Sequence, residues 1–227
     1  MAAAKQLRNA TTGFIMRASP RSTKVAAFAA SACLTALVVI APARGQVSEE
    51  VLKRHISSYA NELCGLCHDL PAGEERAPRI AGQRQAYIEA QLYAFRRASR
   101  GEPEASDCMW GLSSALSDGL VAALAAYFSA QTPLPGIRGD PVQIQAGREL
   151  FYRSGQVSAA PACVQCHGEN AAGSDAAPRL AGQLAPYLLR QMQVIRLKFR
   201  ESPNMHGIVQ DLSDADVSAL AAYLQSL

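Results

Sequence analysis

The stretch "LCGLCHDLPAGEERAPRIAGQ" at residues 63–83 decides how this chain is organised, because most of it returns as "ACVQCHGENAAGSDAAPRLAGQ" at residues 162–183. A further block also repeats: "MWGLSSALSDGLVAALAAYF", which begins at Met109, aligns without gaps to "MHGIVQDLSDADVSALAAYL", which begins at Met205. The blocks keep the same order, and the copies are offset by 96 to 100 residues. A period this long indicates a duplicated domain, because each copy can enclose its own core.

The repeat predicts two domains of similar helical pattern. We assign residues 46–131 to the first domain, residues 142–227 to the second, and residues 132–141, with three prolines and two glycines, to the linker. Apolar residues recur at helical spacing in both copies, and no alternating strand pattern is found. Ser117 and Ser213 stand before the last helix of each copy as N-caps. The predicted fold is all-α.

Residues 1–45 are interpreted as an export signal. Five basic residues precede an apolar run at 25–40, and small residues follow around a predicted cleavage site near 43–45. An apolar run of 16 residues is short for a membrane-spanning helix, so an uncleaved anchor is the less favoured alternative. The mature chain is therefore expected in the periplasm.

The charge balance changes once this signal is removed. The formal net charge is +3, but five basic and no acidic residues precede Arg44, so the remainder is slightly acidic. Nowhere does a basic cluster with interleaved aromatic residues occur, which excludes nucleic acid as an expected partner.

The segments "CGLCH" and "CVQCH" carry the chemistry. Two cysteines separated by two residues can each form a thioether with one vinyl group of a haem, and the adjacent histidine is placed to ligate the iron. A disulfide or a zinc half-site is the alternative reading of a cysteine pair. Two observations disfavour it: a histidine follows both pairs, and the pairs lie in separate repeats. We predict two covalent c-type haems, held by the following residues: Cys64, Cys67, His68, Cys163, Cys166 and His167.

Met109 and Met205 are the candidates for the second axial ligand of each iron. They are matched between the copies, and a thioether opposite a histidine raises the reduction potential of a haem. The alternative is a flexible methionine that fills the core. Beside Met109, the thiol of Cys108 is a competing ligand or a site of intermolecular disulfide formation. His206 is the rival beside Met205, although a surface position fits it better.

Taken together, the doubled C-x-x-C-H motif, the "PR[IL]AGQ" block, the downstream methionine and the "LSD" before an "ALAAY" helix resemble the dihaem class I cytochromes c of the cytochrome c4 family. The resemblance covers about residues 48–227. It implies two tandem cytochrome c domains related by a pseudo-twofold axis. It also implies that the carbonyls of Pro78 and Pro178 hold the axial histidines, and that Arg79 and Arg179 pair with haem propionates.

The first copy departs from the family pattern. It reads "CHD" where the second reads "CHG", it lacks a counterpart of Gly147, and it has four extra residues between Gln91 and Met109. We therefore expect the two haems to differ in reduction potential.

The resemblance implies an electron carrier rather than an enzyme, one that works between respiratory redox partners. Expected partners are a terminal oxidase, a bc1-type complex or a periplasmic dehydrogenase, with at most a loose association with a membrane surface. The alternative is a catalytic or electron-accepting haem subunit of a periplasmic oxidoreductase that acts on sulfur compounds or peroxide. A catalytic haem needs an iron with an open coordination position.

Overall fold

The computed structural model describes residues 49–68, 77–153 and 161–227. The predicted export signal at residues 1–45 lies outside them. Over the described ranges the regular elements are helices, and a single antiparallel bridge joins Arg100 to Arg200. The prediction of an all-α fold is confirmed.

The helices follow the repeat. The first copy contains α1 (Glu49–Tyr59), a π-helical segment (Ala60–Cys64), α2 (Gly65–His68), α3 (Gln85–Arg96), α4 (Pro103–Ala115) and α5 (Asp118–Ser129). The second contains α6 (Pro141–Tyr152), α7 (Cys163–His167), a 3₁₀ turn (Glu169–Ala171), α8 (Ala185–Arg196), α9 (Pro203–Asp211) and α10 (Asp214–Ser226).

Each copy has its own hydrophobic cluster, although the described residues belong to one compact unit. In the first copy α1 and α3 pack on α5, and in the second copy α6 and α8 pack on α10. The first cluster contains Ile56, Ala60, Ile88, Leu116, Val121, Leu124, Ala125 and Phe128. The second contains Phe151, Ala171, Leu188, Leu212, Val217, Leu220, Ala221, Tyr223 and Leu224.

The last helix of each copy begins at a serine cap, as predicted. The Ser117 hydroxyl accepts a hydrogen bond from the Leu120 amide at 3.2 Å. Ser213 forms a reciprocal capping box, in which its hydroxyl accepts from the Asp216 amide and the Asp216 carboxylate accepts from the Ser213 amide. These bonds satisfy backbone donors that have no partner within the helix, and so fix where α5 and α10 begin.

Gly147 allows α6 to approach α10 closely. A Cβ atom at this position would lie 2.0 Å from the carbonyl oxygen of Ala219 and 2.5 Å from its carbon, which is closer than any side chain can come to a backbone. Since the first copy has no glycine at this point, the two lobes differ in how their first and last helices meet.

Two glutamines join the lobes across the pseudo-twofold axis. Gln83 receives a hydrogen bond from the Arg179 amide at 2.8 Å and donates to the Arg179 carbonyl at 2.9 Å. Gln183 makes the same pair of bonds with the amide and the carbonyl of Arg79, both at 2.9 Å. Both glutamines are buried, so four backbone groups of the interface depend on them.

In the part of the chain that the structure describes, no single helix is long and apolar enough to cross a membrane. Two consecutive helical segments, Cys108–Ala115 and Asp118–Ser129, are together long and apolar enough for a span, but the chain bends by 116° between them.

Candidate haem centres

His167 lies at the end of α7 with its ring buried and oriented. Its Nδ1 atom is 3.0 Å from the carbonyl oxygen of Pro178, which makes Nδ1 the protonated nitrogen and leaves the lone pair on Nε2. Burial lowers the pKa of this histidine, an effect that the Pro178 hydrogen bond partly opposes. A neutral imidazole with its lone pair on Nε2 is the form that binds a metal ion.

His68 makes the matching contact in the first lobe, although its ring is less buried than that of His167. Its Nδ1 atom is 2.7 Å from the carbonyl oxygen of Pro78, and the ring is half-buried at the end of α2. The two proline carbonyls therefore occupy matching positions beside the two histidines. This geometry is what a ring held for iron ligation requires.

The loop after His167 is folded back so that Pro178 can reach the ring. Gly173 adopts φ +84°, and a Cβ atom there would lie 2.6 Å from the Arg179 amide nitrogen. Its own amide donates to the His167 carbonyl at 2.7 Å, and the Ser174 hydroxyl donates to the Cys166 carbonyl at 2.7 Å. Any other residue at Gly173 would be strained and would push Pro178 away. In the first lobe, residues 69–76 lie outside the described part.

The cysteines of the second lobe are placed at the two ends of one short helix. Cys163 begins α7 and Cys166 precedes His167; they form no disulfide with each other, and burial raises the pKa of the Cys163 thiol. Two reduced thiols on one helical turn, next to a buried neutral imidazole, suit thioether attachment of a haem. Cys64 and Cys67 occupy the corresponding turn of the first lobe.

Met109 and Met205 lie on corresponding helices but at different positions along them. Met205 is in the first turn of α9, whereas Met109 is in the middle of α4. The four extra residues of the first copy lengthen its helix from 9 to 13 residues. Four residues are close to one turn of about 3.6, so Met109 stays on nearly the same helix face as Met205. The role of both methionines as axial ligands stays a prediction.

The two rival ligands have other positions. His206 is half-buried, and its Nε2 atom lies 3.1 Å from the Arg200 carbonyl oxygen and 3.3 Å from the Ser202 amide nitrogen. Its counterpart in the first lobe, Trp110, donates from Nε1 to the Arg100 carbonyl at 2.8 Å. Both side chains therefore fasten the turn that precedes the methionine helix. Cys108 is exposed on α4, and adjacent residues of a helix point in different directions.

Arg79 and Arg179 differ in their side-chain contacts. Arg79 donates from Nη1 to the carbonyls of Gly182 and Pro135, at 2.9 and 3.0 Å. Within the described ranges, the guanidinium of Arg179 has no hydrogen bond or ion pair. Burial lowers the pKa of both arginines. A partly buried cation of this kind fits a carboxylate-bearing cofactor such as haem, and propionate pairing stays a prediction for both.

Sequence reasoning did not assign a role to Gln83, Gln183 or Trp110. The two glutamines bond to backbone groups 96 and 104 residues away, and Trp110 bonds to a backbone carbonyl ten residues away, so no short spacing pattern reveals the contacts. Their matched positions in the repeat were the available signal.

Comparisons with known proteins agree with this geometry. The Cytochrome c family model matches residues 144–227. The chain is 36% identical to a cytochrome c4 of Azotobacter vinelandii over 180 residues, which is 73% of this chain and 84% of the relative. It is 31% identical over 153 residues to a thiosulfate dehydrogenase electron acceptor of Thiomonas intermedia, which is 65% of this chain and 69% of the relative.

A solved structure is also similar. The crystal structure of reduced recombinant cytochrome c4 from Pseudomonas stutzeri has a TM-score of 0.68 and 30% sequence identity, and the match covers 77% of this chain and 98% of that one.

Proposed function

Because this chain belongs to the cytochrome c4 family, a family of dihaem electron carriers, we propose that it is exported to the periplasm and passes electrons between two partners through its two lobes. The chain is a dihaem c-type cytochrome, and it is an electron carrier rather than an enzyme. When bound, each haem iron takes up and returns one electron.

The observation that supports the proposal best is the repeated arrangement of cysteines, histidine and proline carbonyl. In both lobes a C-x-x-C-H segment ends in a histidine whose Nδ1 lies within 3.0 Å of a proline oxygen. The cysteines anchor the cofactor, and the hydrogen bond fixes the ring orientation and the tautomer. We assign the thioethers and the first axial ligands as follows: Cys64, Cys67 and His68 in the first lobe, Cys163, Cys166 and His167 in the second.

Met109 and Met205 complete the proposed sites as the second axial ligands. The helices of these methionines follow the two turns that contain Arg100 and Arg200. Each helix packs against the preceding helix of its own lobe, α4 on α3 and α9 on α8. A His/Met pair saturates the iron and leaves no position for a substrate, which is what a carrier needs. Arg79 and Arg179 are proposed to pair with propionates, and Pro78 and Pro178 to orient the histidines.

The proposed partners follow from the relatives. The chain exchanges electrons with other redox proteins. The similarity to a thiosulfate dehydrogenase electron acceptor makes a periplasmic dehydrogenase a reasonable electron donor to test, with a terminal oxidase as acceptor and a bc1-type complex as the other donor. We further propose cleavage near 43–45 and the domain ranges 46–131 and 142–227.

A redox titration followed by visible absorption, with and without carbon monoxide, tests the proposal. We expect two haems per chain, two one-electron waves and no carbon monoxide binding to the reduced protein, because both irons are saturated. Binding of carbon monoxide at one haem would contradict the His/Met assignment at that lobe and would favour the catalytic alternative. The mass of the chain purified from the periplasm locates the cleavage site.

A further inference from the structure

Two buried arginines face each other on the pseudo-twofold axis. Arg100 and Arg200 are 6% and 7% exposed, and an antiparallel bridge joins their backbones. Their guanidiniums share the side-chain oxygens of two glutamines that are also related by the repeat. Gln91 accepts from Arg100 at 3.1 Å and from Arg200 at 3.0 Å, and Gln191 accepts from both arginines. These contacts of the two arginines and two glutamines are symmetric about the axis.

Glu102 breaks this symmetry. It is 2% exposed, and its Oε1 atom accepts from Nε of Arg100 at 2.8 Å and also from Nη2 of the same side chain. Its Oε2 atom is buried and has no hydrogen-bond partner among the described residues. The equivalent residue of the second lobe is Ser202, which carries no charge, and there Arg200 donates to the hydroxyl of Tyr87 from the first lobe.

Among the described residues, this central cluster therefore buries two positive charges and one negative charge, and the negative one belongs to the first lobe. Burial alone lowers the pKa of Arg200, but Tyr87, Tyr187 and Glu102 together raise it above its ordinary value. Glu102 thus acts on both arginines. Because none of these three charged groups faces bulk water, salt screens their fields far less than those of surface charges.

The carboxylate stands at the start of the helix that carries Met109. Glu102 is the N-cap of α4 and precedes Met109 by seven residues, which corresponds to about 10 Å along a helix axis. Since Met109 is the proposed ligand of the first iron, a negative charge on the same helix opposes the addition of an electron there, and its effect is stronger in a poorly polarisable interior than in water. The second lobe has no carboxylate at the corresponding place.

We propose that Glu102 is the charge that makes the two haems unequal, by lowering the reduction potential of the first-lobe haem relative to the second. This rests on the proposed function, which places one haem in each lobe. The first electron then settles on the second lobe, and the first lobe is the point of entry. Glu102 is a tuning residue that acts through its field, without touching either iron.

The test is the separation between the two reduction potentials in Glu102→Gln. We expect the separation to shrink, mainly because the lower potential rises. NMR spectra of the partly reduced protein show which lobe each wave belongs to. Glu201→Gln is the matched control, since Glu201 is an exposed carboxylate one residue from the position equivalent to Glu102. That variant should leave both potentials unchanged.

Ser202→Glu provides a second, independent arm. It places a carboxylate at the equivalent position beside Arg200, so the upper potential should fall and the separation should again shrink. This arm decides the matter if Glu102→Gln fails to assemble with both haems.

The inference is overturned if the separation stays the same in both variants, or if both potentials shift equally. A purely structural role of Glu102 would lower the denaturation midpoint without changing the separation. Coincident waves in the unmodified protein would also overturn the inference, whereas fewer than two haems per chain or carbon monoxide binding would defeat the proposed function, so the two failures are distinguishable.

Discussion

The first and second lobes share the proline contact of the predicted iron-binding histidines and differ in the charge that each places near the pseudo-twofold axis. In both, a proline carbonyl lies within 3.0 Å of the histidine Nδ1 atom. The buried Glu102 of the first lobe, which contacts Arg100, corresponds to the uncharged Ser202 of the second lobe. The comparison teaches that ligand orientation is a requirement of each lobe alone, whereas the charge around the axis is where the duplicated copies acquired different properties.

A second duplicated contact shows how far the equivalence extends. Arg96 donates to Asp118 and to the Leu116 carbonyl, at 2.6 and 2.7 Å. Arg196 donates to Asp214 and to the Leu212 carbonyl, at 3.0 and 2.9 Å. In each lobe one guanidinium thus ties the third helix to the start of the last one, although four residues were added between them in the first copy.

Removing one cysteine pair should have the largest effect. We expect Cys64→Ala with Cys67→Ala, and Cys163→Ala with Cys166→Ala, each to reduce the haem content from two to one per chain, because thioethers anchor the cofactor. The first pair should also remove the lower-potential wave. Haem-to-protein ratios check this, and Cys108→Ser is the control that keeps both haems. Two haems retained in either double variant would refute the assignment.

The next largest difference between the lobes should be the loss of stability when the close packing of α6 on α10 is disturbed. Gly147→Ala forces a Cβ atom against the Ala219 backbone, so we expect unfolding to become easier by about 3 kcal/mol. Urea denaturation measures the loss. Gly119→Ala in α5 is the matched control, since no atom beyond its chain neighbours and the backbone of its own helix lies within 4 Å of its Cβ position, and it should be neutral or stabilising by up to ~1 kcal/mol. Equal effects of the two substitutions would contradict the packing argument.

The glutamine contacts should behave alike in the two lobes. Gln83→Ala and Gln183→Ala each leave buried backbone groups without partners, at a cost of about 1–3 kcal/mol per variant. We expect the two losses in unfolding free energy to agree within about 0.5 kcal/mol, a tolerance set by the additivity found for independent sites. Gln85→Ala, at an exposed position next to this contact, is the control. A large difference between the two variants would break the pseudo-twofold description.

The smallest expected difference lies in the serine caps. Ser117→Ala removes one hydrogen bond and should cost about 1 kcal/mol, while Ser213→Ala also removes the bond that the Ser213 hydroxyl donates to the Asp216 carboxylate and should cost slightly more. Thermal denaturation of both variants measures the difference. Ser213→Thr, which keeps a hydroxyl that can both accept and donate at the cap, should recover most of the loss. A costlier Ser117→Ala would reverse the expected order.

Much of the site was predictable because its signals are local. The cysteines and the histidine of each motif occupy one turn of helix, and serine caps act over three residues, so short spacing patterns reveal them. The interlobe residues were not predictable in this way. Gln91 and Arg200 are 109 positions apart, and a buried arginine looks in sequence like any solvated one.

The amino-acid sequence by itself determined that this protein is a duplicated helical chain with two haem-binding motifs, because covalent attachment and helix formation depend on residues close together in the chain. Only the tertiary structure decided which side chains meet on the axis. Burial of Arg100, Arg200 and Glu102 follows from the packing of two lobes against each other. The energy of an electrostatic interaction depends on how far the charged groups lie from water and from each other, and the local sequence determines neither distance.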